Sequence, residues 1–110
     1  MKKKYSLKRN EEIAKVIHNR RYNKNDVYVF YFQKNKEQKT RVCISVSKKL
    51  GIAVVRNKIK RQVREMITDI FDFEKEFDFV IIIKNQFLEN DFETNKEKIK
   101  ELYLKTISRQ

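Results

Sequence analysis

The segment from Ala53 to Glu65 constrains the fold more than any other stretch of the chain. It reads AVVRNKIKRQVRE, with Val55, Ile59 and Val63 spaced four residues apart. This spacing predicts an α-helix with one apolar side, because residues three and four apart share a helix face. The chain must therefore supply an apolar surface, most simply a sheet, on which this helix packs.

The opposite side of the same helix is strongly basic. Arg56, Lys60 and Arg64 advance around the helix by only about 40° per step, since each residue turns by about 100°. They form one cationic wall, with Asn57 and Arg61 beside it. Such a wall suits a rigid phosphate-binding surface, and a solvated basic face is the alternative from the helix alone.

The whole chain shares this excess of positive charge. Its 110 residues include 27 Lys and Arg against 15 Asp and Glu, which gives a formal net charge of +12. An excess of this size points first to nucleic acid as a partner and second to an anionic membrane surface. No apolar run has the length of a signal peptide or a spanning helix, so we expect a cytoplasmic protein with no membrane partner.

Length and composition favour one domain over residues 1–110 and a monomeric protein. Cys43 is the only cysteine, so the chain has no internal disulfide and no CxxC motif. His18 is the only histidine and has no evident partner for acid–base catalysis. The acidic stretch 72–78 contains interleaved phenylalanines and is interpreted as a helix end and loop. We therefore assign no catalytic residue, and no metal or cofactor bound by the protein alone.

Apolar patterns divide the chain into a helix, two strands, a helix, a strand and a helix. Asn10 is predicted to cap a first helix that ends near Asn19 or Arg20. The strands DVYVFYFQ and TRVCISVS are separated by a polar turn, which predicts a hairpin. The first strand has two apolar faces and the second has one. The predicted core set is Tyr28, Phe30, Phe32, Val42, Ile44 and Val46.

The second half of the chain begins with the turn into the basic helix. Gly51 permits the tight backbone that this turn requires. The run FDFVIIIK then predicts a largely buried strand. Thr94 and Glu97 have the spacing of a capping box and are predicted to begin the last helix.

Between Val42 and Arg64 the chain also carries a long and specific motif. The sequence RVCISVSKKLGIAVVRNKIKRQVRE contains the pattern S-V-S-K-K-x-G-x-A-V-x-R-N-x-x-K-R-x-x-R. This pattern closely resembles the signature of the bacterial ribonuclease P protein component. The resemblance runs from about Lys4 to about Ile107, and the order of predicted elements agrees with that family.

The resemblance implies a fold and a function. The fold is a small single-domain α+β sandwich with three helices and a central, mainly antiparallel sheet of three or four strands, including a short strand near residues 21–23. Proteins of this family join a large catalytic RNA that removes the 5′ leader from precursor tRNA. The implied partners are therefore ribonuclease P RNA and precursor tRNA, and Mg²⁺ is expected to enter with the RNA subunit, which carries the chemistry.

The resemblance also assigns two groups of binding residues. The basic helix and the lysines before it are expected to contact the RNA subunit, through Lys48, Lys49, Arg56, Asn57, Lys58, Lys60, Arg61 and Arg64. A cleft between the first helix and the open face of the sheet is expected to hold the single-stranded leader, through Ile13, Ile17, Val29, Tyr31 and Ser45.

Two features depart from the family pattern. The family often has Phe where this chain has Ile13 and Ile17, which replaces base stacking by aliphatic contact. It also tends to have a small polar residue after the turn glycine, where Ile52 stands here. Both differences lie at positions expected to face RNA.

Two other functions are compatible with the composition. A structural RNA-binding protein of ribosomal type would share the size and charge but lack a leader cleft. A membrane-surface or peptide-binding module would use the amphipathic helix alone. The long motif favours the ribonuclease P function over both.

Overall fold

A computed structural model describes residues 1–108 of the chain. Helices and strands are mixed in an α+β order, and these residues also include three short 3₁₀ helices, at Lys3–Tyr5, Lys48–Leu50 and Asn85–Leu88. In chain order the elements are α1 (Asn10–His18), β1 (Tyr22–Lys24), β2 (Tyr28–Lys34), β3 (Arg41–Ser45), α2 (Ala53–Ile70), β4 (Phe77–Ile83) and α3 (Phe92–Ser108). Among these described helices, none is long and apolar enough to cross a bilayer.

The four strands form one mixed sheet in the order β1-β2-β4-β3. β2 is antiparallel to both β1 and β4, whereas β3 runs parallel to β4. The predicted hairpin between β2 and β3 is therefore wrong, because β4 lies between them. The burial pattern explains this order: β4 is apolar on both faces and takes a central position, while the polar face of β3 suits an edge.

The main core lies between one face of the sheet and the two long helices. From β2, Tyr28 and Phe30 point into it, and both are fully buried. Phe71 at the end of α2 stacks on Tyr103 of α3 with ring centroids 4.0 Å apart. Val42 is buried in this core as predicted, while Ile44 and Val46 are partly buried at its border. The buried residues of α2 are Ile59, Val63, Met66 and Ile67.

Gly51 fixes the start of α2. Its φ of 144° lies in a region that favours glycine, and an added Cβ would come within 2.9 Å of a Val55 methyl group. The predicted role of this glycine is confirmed. The chain can turn at this point and begin the helix two residues later, at Ala53.

The two predicted helix caps are wrong by a few residues. Arg9, not Asn10, is the N-cap of α1, and its carbonyl accepts from the backbone N–H of Ile13. At α3 the Asp91 carboxylate accepts a hydrogen bond of 2.8 Å from the backbone N–H of Thr94. Asp91 therefore takes the capping role, and Thr94 lies inside the first turn.

Helix α1 packs on the opposite face of the sheet from α2 and α3. Val16 is fully buried against Val80 of β4 and Leu7 of the N-terminal segment. Polar contacts hold both ends of the helix in place. At its start, Glu12 forms a 2.9 Å ion pair with Arg41 of β3, and at its end the Asn19 amide donates to the carbonyl of Phe32, a residue of β2.

Arg41 is the centre of a mostly buried ionic network. Its guanidinium donates two hydrogen bonds, of 2.9 and 2.8 Å, to the Asp78 carboxylate of β4. The Asn35 amide donates to the same carboxylate at 2.7 Å. Asp78 is only 2% exposed, and hydrogen bonding to it raises the pKa of Arg41 above its ordinary value. The network therefore joins α1, β3 and β4.

Replacing Asp78 by alanine should destabilise the fold strongly, because Arg41 would keep a mostly buried charge without its main partner. We expect a loss of about 3 kcal/mol in the free energy of unfolding, measured by denaturant titration. The control is Asp69→Ala, which removes an exposed ion pair with Lys96 and should cost much less. Equal losses in the two variants would contradict the structural role of the network.

Candidate nucleic-acid interface

The face of the sheet under α1 carries side chains in three rows across the strands. Strand register and the alternation of side chains define each row. The first row is polar and consists of Gln33, Asp78 and Arg41. The second consists of Tyr22, Tyr31, Val80 and Cys43, and the third of Lys24, Val29, Ile82 and Ser45.

Helix α1 covers the first row and part of the second. Glu12 and Asn19 fix it to the polar row, and Val16 packs on Val80 in the next row. The third row lies farther along the strands, by about 7 Å, since alternate residues of a strand are about that far apart. The part of the third row on β2, β4 and β3, namely Val29, Ile82 and Ser45, is named here the open strip, together with the neighbouring Tyr31.

The five residues expected to bind the leader come together along this strip. Ile13 and Ile17 are half-buried on α1 and pack in the same cluster as Tyr31. Val29 and Ser45 lie in the third row, where Val29 is half-buried and Ser45 is exposed. The structure therefore places all five residues on one side of the sheet, at the border between helix and strip.

The cationic residues of α2 lie around the exposed part of that helix. Asn57, Lys58, Arg61 and Arg64 are exposed, whereas Arg56 and Lys60 are half-buried next to the core-facing side. Lys58 stands apart from the others, because it borders a cavity with Val54 and Leu88 on the side toward α3. These residues therefore cover a broad surface and do not follow a single line.

One border of this basic surface meets the edge strand β3. Arg64 lines a small cavity with Cys43 and the N-terminal residues Ser6 and Lys8. Burial raises the pKa of the Cys43 thiol above its ordinary value, and the nearby positive charge of Lys60 opposes part of this rise. The cations of α2 therefore reach the β3 edge at Cys43, two residues along the strand from Ser45 of the open strip.

Arg56 of α2 has a hydrogen-bond donor that it does not use among the described residues. Its Nε atom is buried and has no hydrogen-bond partner within residues 1–108. A buried guanidinium donor without an acceptor is unfavourable, and pairing it with a phosphate requires the side chain to move, because the atom is out of contact with solvent.

The start of α2 adds to the positive potential. Ile52 is the N-cap residue and is 72% exposed, and its side chain has no oxygen with which to accept from the first N–H groups. The first turn contains no acidic residue, so the partial positive charge of the helix N-terminus is not compensated there. Lys48 and Lys49 precede this turn and are exposed.

Sequence reasoning missed two residues of this surface. Asp78 falls in both the acidic stretch 72–78 and the predicted strand FDFVIIIK; its place in β4 is as predicted, but its pairing with Arg41 was missed. The available signal was a pair of opposite charges within two predicted strands, Asp78 in β4 and Arg41 in β3. Tyr22 was missed because β1 has only three residues, too few to show a pattern.

Within the described residues, no group of three or more His, Cys, Asp or Glu side chains is arranged to hold a metal ion. Cys43 is a free thiol that packs with the apolar residues under α1. His18 lies exposed at the end of α1. The chemistry that the surface offers is cationic and aromatic.

A basic helix beside an open sheet face defines a class of small α+β proteins with a surface suited to a polyanion. The family model for Ribonuclease P matches residues 1–107. The chain belongs to this family, and the resemblance drawn from the motif is confirmed together with the α+β class.

Individual relatives agree with this assignment. The Ribonuclease P protein component of Mesoplasma florum is 41% identical over 107 residues, which cover 96% of this chain and 97% of that protein. The Bacillus cereus protein of the same name is 41% identical over 101 residues, covering 90% and 88%. Both alignments span nearly the full length of each partner.

Solved structures show the same fold. The RNase P protein of Staphylococcus aureus superposes with a TM-score of 0.79 at 30% identity, covering 90% of this chain and 92% of that one. The RNase P protein of Thermotoga maritima gives a TM-score of 0.77 at 31% identity, covering 88% and 93%.

Proposed function

We propose that this chain is the protein component of ribonuclease P and acts as one RNA-binding domain. It binds the catalytic RNA through α2 and the 5′ leader of precursor tRNA on the open strip, and so assists removal of the leader. The observation that carries this proposal is the closeness of the two surfaces at β3: Arg64 lines a cavity with Cys43, two residues along the strand from Ser45 of the open strip. The names of the relatives support the same function.

The contact with the RNA subunit is assigned to the broad basic surface of α2. Arginine guanidinium groups suit bidentate contact with phosphate, and the half-buried Arg56 has a free donor at Nε. The helix is held rigidly, since four of its apolar residues are buried in the main core. A rigid cationic surface can bind a folded RNA at little cost in conformational entropy.

The leader is assigned to the open strip. Single-stranded RNA is commonly held by aromatic stacking and by cations along its backbone. Tyr31 supplies an aromatic surface, Ile13 and Ile17 supply an aliphatic wall, and Ser45 offers a hydroxyl at the β3 end. Aliphatic contact in place of stacking on α1 makes the affinity for the leader depend more on Tyr31.

The protein is proposed to have no catalytic residue of its own. It positions substrate and screens phosphate charge, while cleavage belongs to the RNA subunit. Magnesium is proposed to enter with the RNA, because Mg²⁺ usually keeps water and phosphate ligands and is seldom held by protein side chains alone. We place the protein in the cytoplasm as a monomer before assembly.

The first test is cleavage of labelled precursor tRNA by a bacterial ribonuclease P RNA at low Mg²⁺, with and without the protein. We expect the protein to restore cleavage at the mature 5′ end and to have no activity alone. RNA binding without stimulation would instead indicate a structural RNA-binding protein. Cleavage by the protein alone would contradict the assignment of the chemistry to RNA.

The basic surface of α2 should dominate binding of the RNA subunit. Replacing Arg56, Lys60 and Arg64 by alanine is expected to weaken binding and to reduce its salt dependence by about one unit of slope for each lost phosphate contact. A matched control removes the same charge from three exposed lysines outside α2, namely Lys36, Lys75 and Lys100. Equal effects of the two triple variants would show that only net charge matters.

Tyr31 should discriminate precursor from mature tRNA. In the holoenzyme, Tyr31→Ala is expected to weaken binding of precursor tRNA by about 1 to 3 kcal/mol, the range for one stacked base, and to leave mature tRNA unaffected. Tyr31→Phe keeps the ring and serves as the control. Equal losses for the two tRNAs would remove Tyr31 from the leader site.

A further inference from the structure

Tyr22 is an exposed aromatic residue on the edge strand β1. It is 48% exposed, and its cross-strand partner is Tyr31 on β2. The two rings lie 5.3 Å apart between centroids, with their planes inclined by 46°. They therefore present two tilted aromatic surfaces side by side, on the same face of the sheet as the open strip.

The end of α1 explains why Tyr22 stays exposed. The helix ends at His18, and Arg20 adopts a left-handed conformation with φ of 59° that turns the chain toward β1. Asn19 ties this end of the helix to β2, through the Phe32 carbonyl and the Gln33 side chain. β1 lies one strand farther out, so its tyrosine is beyond the end of the covering helix.

The surroundings hold the tyrosine pair in place. Tyr31 packs with the apolar cluster under α1, and this packing holds its ring in place. On the other face of β1, the Asn23 amide donates to the Thr106 hydroxyl of α3 at 3.1 Å. β1 is therefore anchored from both sides, and the Tyr22 ring is arranged before any ligand arrives.

Cations surround the exposed ring. Lys24 lies two residues along β1 on the same face as Tyr22, and its cross-strand partner is Val29 of the open strip. Arg20 and Arg21 immediately precede the strand and are exposed. An aromatic surface flanked by exposed cations suits a nucleotide, whose base stacks while its phosphates meet the positive charges.

From this geometry we infer that Tyr22 stacks with a base of the leader and extends the leader site to the outer edge of the sheet. This inference rests on the proposed function. The RNA subunit is assigned to α2, beside β3, whereas β1 forms the opposite edge, three strand spacings or roughly 14 Å away. The scissile bond must lie near the catalytic RNA. Tyr22 therefore contacts leader nucleotides farther from the cleavage site than those on Tyr31.

The test uses the reconstituted holoenzyme and precursor tRNAs whose leaders are lengthened one nucleotide at a time. Tyr22→Ala should leave the affinity for mature tRNA and for the shortest leader unchanged. It should weaken binding of the longest leaders by about fivefold or more, the low end for one stacked base. Tyr22→Phe should behave like the original protein. Leu104→Ala on α3, at a side chain of matched exposure, should have no effect.

A fluorescent base analogue at successive leader positions gives a second readout. Stacking on Tyr22 should quench the analogue at the distal positions, and Tyr22→Ala should remove that quenching alone. A loss independent of leader length, or an equal loss in Tyr22→Phe, would overturn the inference.

The outcome for Tyr31→Ala separates the two proposals. If this variant discriminates precursor from mature tRNA while Tyr22→Ala changes nothing, the leader site is correct and its extension to β1 is wrong. If neither variant discriminates, the proposed leader site itself is wrong.

Discussion

The ion pair between Arg41 and Asp78 is the interaction on which the arrangement of the surface depends. It places a charged pair in the sheet under α1, where Glu12 provides the third partner. A mostly buried charge needs such partners, so α1 is fixed over one end of the sheet. The other end remains uncovered as a result. The helix runs across the strands along the polar row, from Arg41 of β3 to Gln33 of β2, so it covers this row and part of the next and leaves the open strip beyond them.

The other face of the sheet imposes a different constraint on α2. Its core-facing side chains are packed among aromatic residues of β2, β4 and α3. The orientation of the helix is therefore fixed by burial. Its basic residues lie on the exposed surface or at the border of the core. Mutual repulsion among these cations opposes folding, and a polyanion on this surface would relieve it.

Local features of the chain were predictable and long-range ones were not. The four-residue spacing of Val55, Ile59 and Val63 gave the helix and its buried side, and Gly51 marked its start, because both are decided within a few residues. The place of β4 between β2 and β3 depends on which strands must be buried on both faces. The five residues proposed for the leader came from the family resemblance. Strand register puts Val29, Tyr31 and Ser45 on one face of the sheet, and α1 packs Ile13 and Ile17 against that face. The exposure of Tyr22 depends on where α1 ends over the sheet.

The central position of β4 also bears on how the chain is synthesised. β4 is the last strand in the sequence, yet it pairs with both β2 and β3. Until it leaves the ribosome, β1 and β2 can form only a small hairpin, and β3 lacks its neighbouring strand. The basic helix is made before the strand that completes its support. A nascent chain that ends before residue 77 therefore carries most of its positive charge without a finished fold, and its basic helix lacks the completed sheet on which it packs.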